Sequence, residues 1–123
     1  MQVRSSHDEK KMLYWIHPEY GEGKCMELKK VYDGSKLTVF LAGKLDTESA
    51  PKLNAELAAS LGGITELVLD MTDLSYISSA GLRTLLSAQK MMNRQGRMVL
   101  RGARDSIRDV FRITGFLDLL TLE

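Results

Sequence analysis

Cys25 is the only cysteine of the chain, so an intramolecular disulfide is excluded and no cysteine cluster exists to hold zinc. Both histidines, His7 and His17, lie near the start, with no nucleophile at a recognisable catalytic spacing. A continuous apolar run of about 18 residues, the minimum for a membrane span, is absent. So is the basic-then-apolar pattern of a secretory leader. No excess of one charge sign exists either: 17 basic against 16 acidic residues leave a formal charge of +1, with no electrostatic footprint for nucleic acid or an anionic membrane. The serines form no Gly-x-Ser-x-Gly elbow, and no glycine-rich phosphate loop of the Walker type occurs. Asp70-Met71-Thr72 lacks the second aspartate, two positions on, that an aspartyl-phosphate loop would carry. These absences argue against an enzyme, a cofactor and a metal. They point to a protein partner and a reducing, cytoplasmic compartment.

At 123 residues, 44% of them hydrophobic and 27% charged, the chain suits one globular domain with a single core. From residue 26 onward strand-like and helix-like segments alternate. Residues 37–42 are β-branched and aromatic between turn residues, and 27–31 would pair with them as a hairpin. Ala50, Leu53, Leu57 and Leu61 then recur at helical spacing, with Thr47 or Ser49 as cap, Pro51 in the first turn and Gly62-Gly63 as the stop. Strands are predicted at 67–70 and 98–101, with an edge strand at 119–122. A second helix is predicted from Ser79 to about Gln95-Gly96. Ile107, Val110, Phe111 and Thr114 mark a third, closed by Gly115. Met91 and Met92 read as core. The alternation predicts an α/β fold: a mixed, largely parallel sheet of four to five strands with helical crossovers and an antiparallel first hairpin.

The most informative segment is Asp70-x-Thr72-x-x-Ser75-x-Ile77-Ser78-Ser79-Ala80-Gly81-Leu82-Arg83. It runs from a buried strand through a polar loop into an amphipathic helix, so two adjacent hydroxyls fall at a helix N-terminus. Unpaired N–H groups and the helix dipole there accommodate a phosphate dianion. Serine is also a preferred N-cap, which explains the placement without any modification. Together with Gly43-Lys44-Leu45-Asp46 upstream, the segment resembles the STAS family and, within it, the small bacterial anti-sigma-factor antagonists, over residues 26 to about 122.

That resemblance implies phosphorylation at Ser79, the serine two positions before the glycine, with Ser78 as the alternative acceptor in a position where many members carry aspartate. It implies a non-catalytic regulator of transcription in a partner-switching pathway. The unphosphorylated form would bind an anti-sigma-factor serine kinase and release the sigma factor, phosphorylation would end binding, and a PP2C-type phosphatase would reverse it. A STAS scaffold or ligand-sensing module acting on another target is the rival reading. Because function gathers where loops leave the carboxyl ends of parallel strands, the segments after Ala42 and Asp70 should lie side by side. This brings Asp46 and Thr47 to Ser78, Ser79, Ala80 and Gly81 as the partner-binding face, with Asp46 alternatively a plain Asx turn. Arg83, four residues after Ser79, shares its helix face and could contact a phosphate there, or be a solvated residue. Gly81 either lets a partner approach the backbone or serves helix packing. The family also usually has a helix after the last strand, for which no sequence follows Glu123.

Residues 1–25 lie outside the resemblance and show neither periodicity. They are read as a weakly packed N-terminal extension making few contacts with the sheet. Gly21-Glu22-Gly23-Lys24 can be encoded by purines alone, as a ribosome-binding sequence would be, so Met26 is a candidate native start. Tyr14, Trp15 and Tyr20 argue instead for a docked or partner-binding arm.

Overall fold

The computed structural model describes Leu13–Ile16 and residues 26–123. Its sheet carries five strands in sequential order: β1 (Leu13–Ile16), β2 (Glu27–Asp33), β3 (Lys36–Leu45), β4 (Glu66–Ile77) and β5 (Arg97–Arg101). The first two pairings are antiparallel and the β3–β4 and β4–β5 pairings are parallel. Gly34, at φ 64°, supplies the left-handed residue in the turn of the β2–β3 hairpin. Helix α1 (Ala50–Ser60) crosses from β3 to β4, and α2 (Ser79–Asn93) from β4 to β5. Helix α3 (Asp105–Thr114) follows, stopped by Gly115 at φ 83°. The predicted mixed, largely parallel α/β sheet is therefore what forms.

All three helices pack on one sheet face. Alternate strand residues, among them Leu28, Leu37, Val39, Leu41, Leu67, Leu69, Met98 and Leu100, form one core with Leu53, Leu57, Leu85, Met92, Ile107 and Phe111. Each fully buried leucine contributes about 1.5–3 kcal/mol. Lys30 is an unexpected member of this face. It is 5% exposed, and its ammonium bonds Glu56 of α1 and, at 2.9 Å, Ser60 Oγ. Register explains the placement: Lys30 pairs with Val39 and so points to the helix side, where only a charged partner makes burial tolerable.

Three expectations need correction. The stretch after Asp70 is strand, not loop, and β4 continues to Ile77. Opposite β3, Asp70 to Ile77 covers seven steps where Phe40 to Leu45 covers five, with irregularities at Phe40/Ala42 and Gly43/Lys44. These bulges space the buried residues Met71, Leu74 and Ile77 three apart, which hides the period-2 signature of a strand. The edge strand at 119–122 reduces to a single bridge between Leu100 and Leu122, preceded by a short 3-10 turn at Phe116–Asp118. Finally, Leu13–Ile16 of the N-terminal region pairs with Val31 to Leu28 of β2, so this part does contact the sheet. The other residues of 1–25, including Tyr20, Cys25 and the Gly21-to-Lys24 run, lie outside the described residues.

Candidate functional site

The carboxyl ends of β3 and β4 lie side by side, with Leu45 opposite Ile77. From this rim both crossover helices start. The chain leaves β3 through a tight turn in which Asp46 Oδ1 accepts the N–H groups of Glu48 and Ser49, each at 3.0 Å. Ser49 Oγ accepts the Asp46 N–H at 2.8 Å and donates to Lys44 O at 2.8 Å. Ser49 holds the N-cap position of α1, but its hydroxyl reaches back to β3 rather than forward into the helix. The carboxylate of Asp46 serves that end instead. The Ser49 N–H, the Ser49 hydroxyl and the Glu48 N–H hold its carboxyl below the usual carboxylate range, against the opposing effect of burial.

β4 enters α2 just as tightly. Ser78 N–H donates to Leu45 O at 2.9 Å, and Ser78 Oγ caps the helix by accepting Gly81 N–H at 3.2 Å. Ser79 is the first helical residue and is exposed, with no side-chain hydrogen bond to any described residue. The two adjacent hydroxyls thus divide: Ser78 is the cap and Ser79 faces solvent. No acidic residue occupies the first turn of α2, so the positive end of its dipole is uncompensated.

Gly81 is buried. A Cβ there would stand 2.8 Å from Leu45 Cγ and 2.9 Å from both Ile77 Cγ1 and Leu45 O, so its bare backbone lets α2 sit directly on the rim. Helix packing is what this glycine serves within the chain. Thr84, one turn on, donates to Ala80 O at 3.2 Å and lies 3.4 Å from Ala50 O, tying the start of α2 to the start of α1. Thr47 and Arg83 are exposed, and Ala80 is half-buried.

The polar residues of the upstream motif hold the bulged rim together. Ser75, the extra residue between the Gly43–Leu74 and Lys44–Tyr76 pairs, donates its hydroxyl to Gly43 O at 2.9 Å. Asp70 accepts Thr72 N–H at 3.0 Å and pairs with Arg101 at 3.2 Å. Burial pushes the Asp70 carboxyl up, but the Thr72 hydrogen bonds and the Arg101 guanidinium prevail and hold it below the usual range. Leu45, the residue before Asp46, accepts the Ser78 N–H through its carbonyl, while among the described residues no hydrogen bond joins the Asp46 carboxylate to Ser78 or Ser79. The sequence did not single out Lys44 and Tyr76, which are exposed on the same rim, nor the return bond from Ser49. The bulge at Ser75 conceals the signal for Tyr76.

Among the described residues no group of three or more histidines, cysteines, aspartates or glutamates is placed to hold a metal ion. No helix among them is long and apolar enough to cross a membrane.

The STAS domain model matches residues 28–123, which is most of the chain. The chain belongs to the STAS family. Its relatives include proteins named as anti-sigma-factor antagonists. The putative anti-sigma factor antagonist BtrV of Bordetella bronchiseptica is 42% identical over 85 residues, covering 68% of this chain and 73% of BtrV. The anti-sigma-B factor antagonist of Listeria monocytogenes is 34% identical over 97 residues, covering 76% of this chain and 84% of its own. Among solved structures, the antagonist SpoIIAA in its unphosphorylated form superposes with a TM-score of 0.64 at 19% identity, over 80% of this chain and 87% of its own. That likeness is one of fold. The family match together with these relatives gives general support to a role in partner switching.

Proposed function

We propose that this STAS domain is an anti-sigma-factor antagonist whose unphosphorylated form binds an anti-sigma-factor serine kinase, and that phosphorylation of Ser79 ends the binding. The observation that carries this reading is the division of labour at the start of α2. Ser78 Oγ is committed to the cap, whereas Ser79 Oγ is exposed and without a hydrogen-bond partner among the described residues. Transfer of the γ-phosphoryl group of ATP to Ser79 Oγ releases ADP and the hydroxyl proton. It places about −1.5 to −2 charge units on the exposed start of α2. The uncompensated dipole tolerates this charge, so the domain stays folded and only its surface changes. A PP2C-type phosphatase restores the hydroxyl. Asp46, Thr47, Ala80 and Arg83 flank Ser79 on the surface the kinase would cover. The names of the BtrV and Listeria relatives support the antagonist reading, and a cytoplasmic location goes with it.

The test is binding to the cognate kinase with and without ATP. Ser79→Ala should bind and resist release by ATP, and Ser79→Asp should bind weakly. Release of Ser79→Ala by ATP at the wild-type rate would refute the assignment. The rival, a scaffold or ligand sensor, predicts no stoichiometric phosphoserine under any of these conditions.

A further inference from the structure

We infer that Tyr76 and Lys44 extend the partner surface over the rim of the sheet to the face opposite the helices, with Tyr76 as its apolar anchor. This rests on the proposed kinase reading and names further residues of the same site. The geometry follows from strand alternation. Leu45 and Ile77 pair and are buried under α2, with Leu45 at 0% and Ile77 at 4% exposure. Lys44 and Tyr76, the preceding pair, must then point to the other side of the sheet. Tyr76 is 48% exposed and Lys44 is exposed as well.

Nothing in the fold requires a large aromatic at this point. The core is completed by Leu74 and Ile77, the bulge is secured by Ser75, and the Tyr76 phenol has no hydrogen bond to a described residue. Ser79 lies three positions after Tyr76, so their Cα atoms are at most about 11 Å apart. That is well inside one protein–protein interface, where tyrosine is favoured as an anchor. The ring would enter an apolar pocket of the kinase. The Lys44 ammonium beside it calls for a carboxylate on the rim of that pocket. A partner gripping both sides of the rim would have Ser79 inside its footprint.

The experiment uses the serine kinase that phosphorylates the full wild-type chain and measures its affinity for unphosphorylated variants. Tyr76→Ala and Tyr76→Thr, the second keeping a β-branched strand residue, should each bind at least tenfold more weakly. Both should keep a wild-type melting profile. Lys44→Glu should bind more weakly still, and most of its loss should disappear at high salt. Affinity within twofold of wild type for both Tyr76 variants overturns the inference. Weak binding by Tyr76→Ala but normal binding by Tyr76→Thr also overturns it, because the loss is then one of strand structure. Phosphosite mapping on the wild type keeps the two readings apart: phosphate absent from Ser79 refutes the proposed function, whatever the Tyr76 variants do.

Discussion

Gly81→Ala isolates the contact on which the site is built. In an exposed helix the change would stabilise by about 0.8–1 kcal/mol, the propensity difference between the two residues. Here the added methyl falls 2.8 Å from Leu45 Cγ and 2.9 Å from Leu45 O and Ile77 Cγ1. A side-chain tip could rotate away, but the carbonyl is fixed because it also accepts the Ser78 N–H at 2.9 Å. Overpacking of a rigid site costs about 1–3 kcal/mol, so relief requires α2 to lift from the rim. Set against the propensity gain, a net loss of up to about 2 kcal/mol is expected. For a domain of this size that is at most roughly 8 °C in melting temperature. Thermal and urea unfolding should agree, and kinase binding should fall as the start of α2 shifts. A variant more stable than wild type would show that the helix does not depend on this close approach.

Other expectations follow from single contacts. Ser78→Ala removes the cap and should cost about 1 kcal/mol by urea denaturation while leaving Ser79 a substrate. Glu56→Ala removes a carboxylate from the buried Lys30 ammonium, and a loss of up to about 3 kcal/mol in urea denaturation is expected. Replacing both residues by apolar ones should recover most of it, and failure to recover would mean that the ion pair is not the cause. Asp46 gives a pH signature. Its folded carboxyl loses its proton at lower pH than the unfolded one, so its contribution is complete above the ordinary carboxylate range and drains as pH falls through the lowered value. Asp46→Asn should therefore be less stable than wild type at neutral pH, with the difference shrinking in acid. An equal difference at all pH values would refute the role of the charge.

Much of the fold was legible because its local signals agree. The hairpin, the helices with Pro51 and Gly115 at their ends, and the short apolar runs around Leu69 and Val99 carry recognisable local signals. Where periodicity is broken by design, the sequence misleads. The bulged half of β4 spaces Met71, Leu74 and Ile77 three apart, and so reads as loop. Leu13–Ile16 is a four-residue strand whose identity depends on β2 alongside it, a relation no local pattern encodes. Lys30, in a Lys-Lys pair, looks like solvated surface until its register with Val39 and its partner Glu56 on α1 are known. At the site itself the family resemblance already favours Ser79 over Ser78 as acceptor, and the bond from Gly81 N–H to Ser78 Oγ adds a structural difference between these two like hydroxyls. Asp46 and Gly81, read as open between structure and interface, both have clear structural work: the first closes a turn, the second admits α2 to the rim.

In the proposed switch the exposed Ser79, and not the capping Ser78, receives the phosphoryl group. Mass-spectrometric site mapping after incubation with the cognate kinase and ATP tests it most directly, using wild type, Ser78→Ala and Ser79→Ala. One phosphate per chain is expected on Ser79 in the first two and none in Ser79→Ala. Phosphate on Ser78, or stoichiometric incorporation into Ser79→Ala, would contradict it.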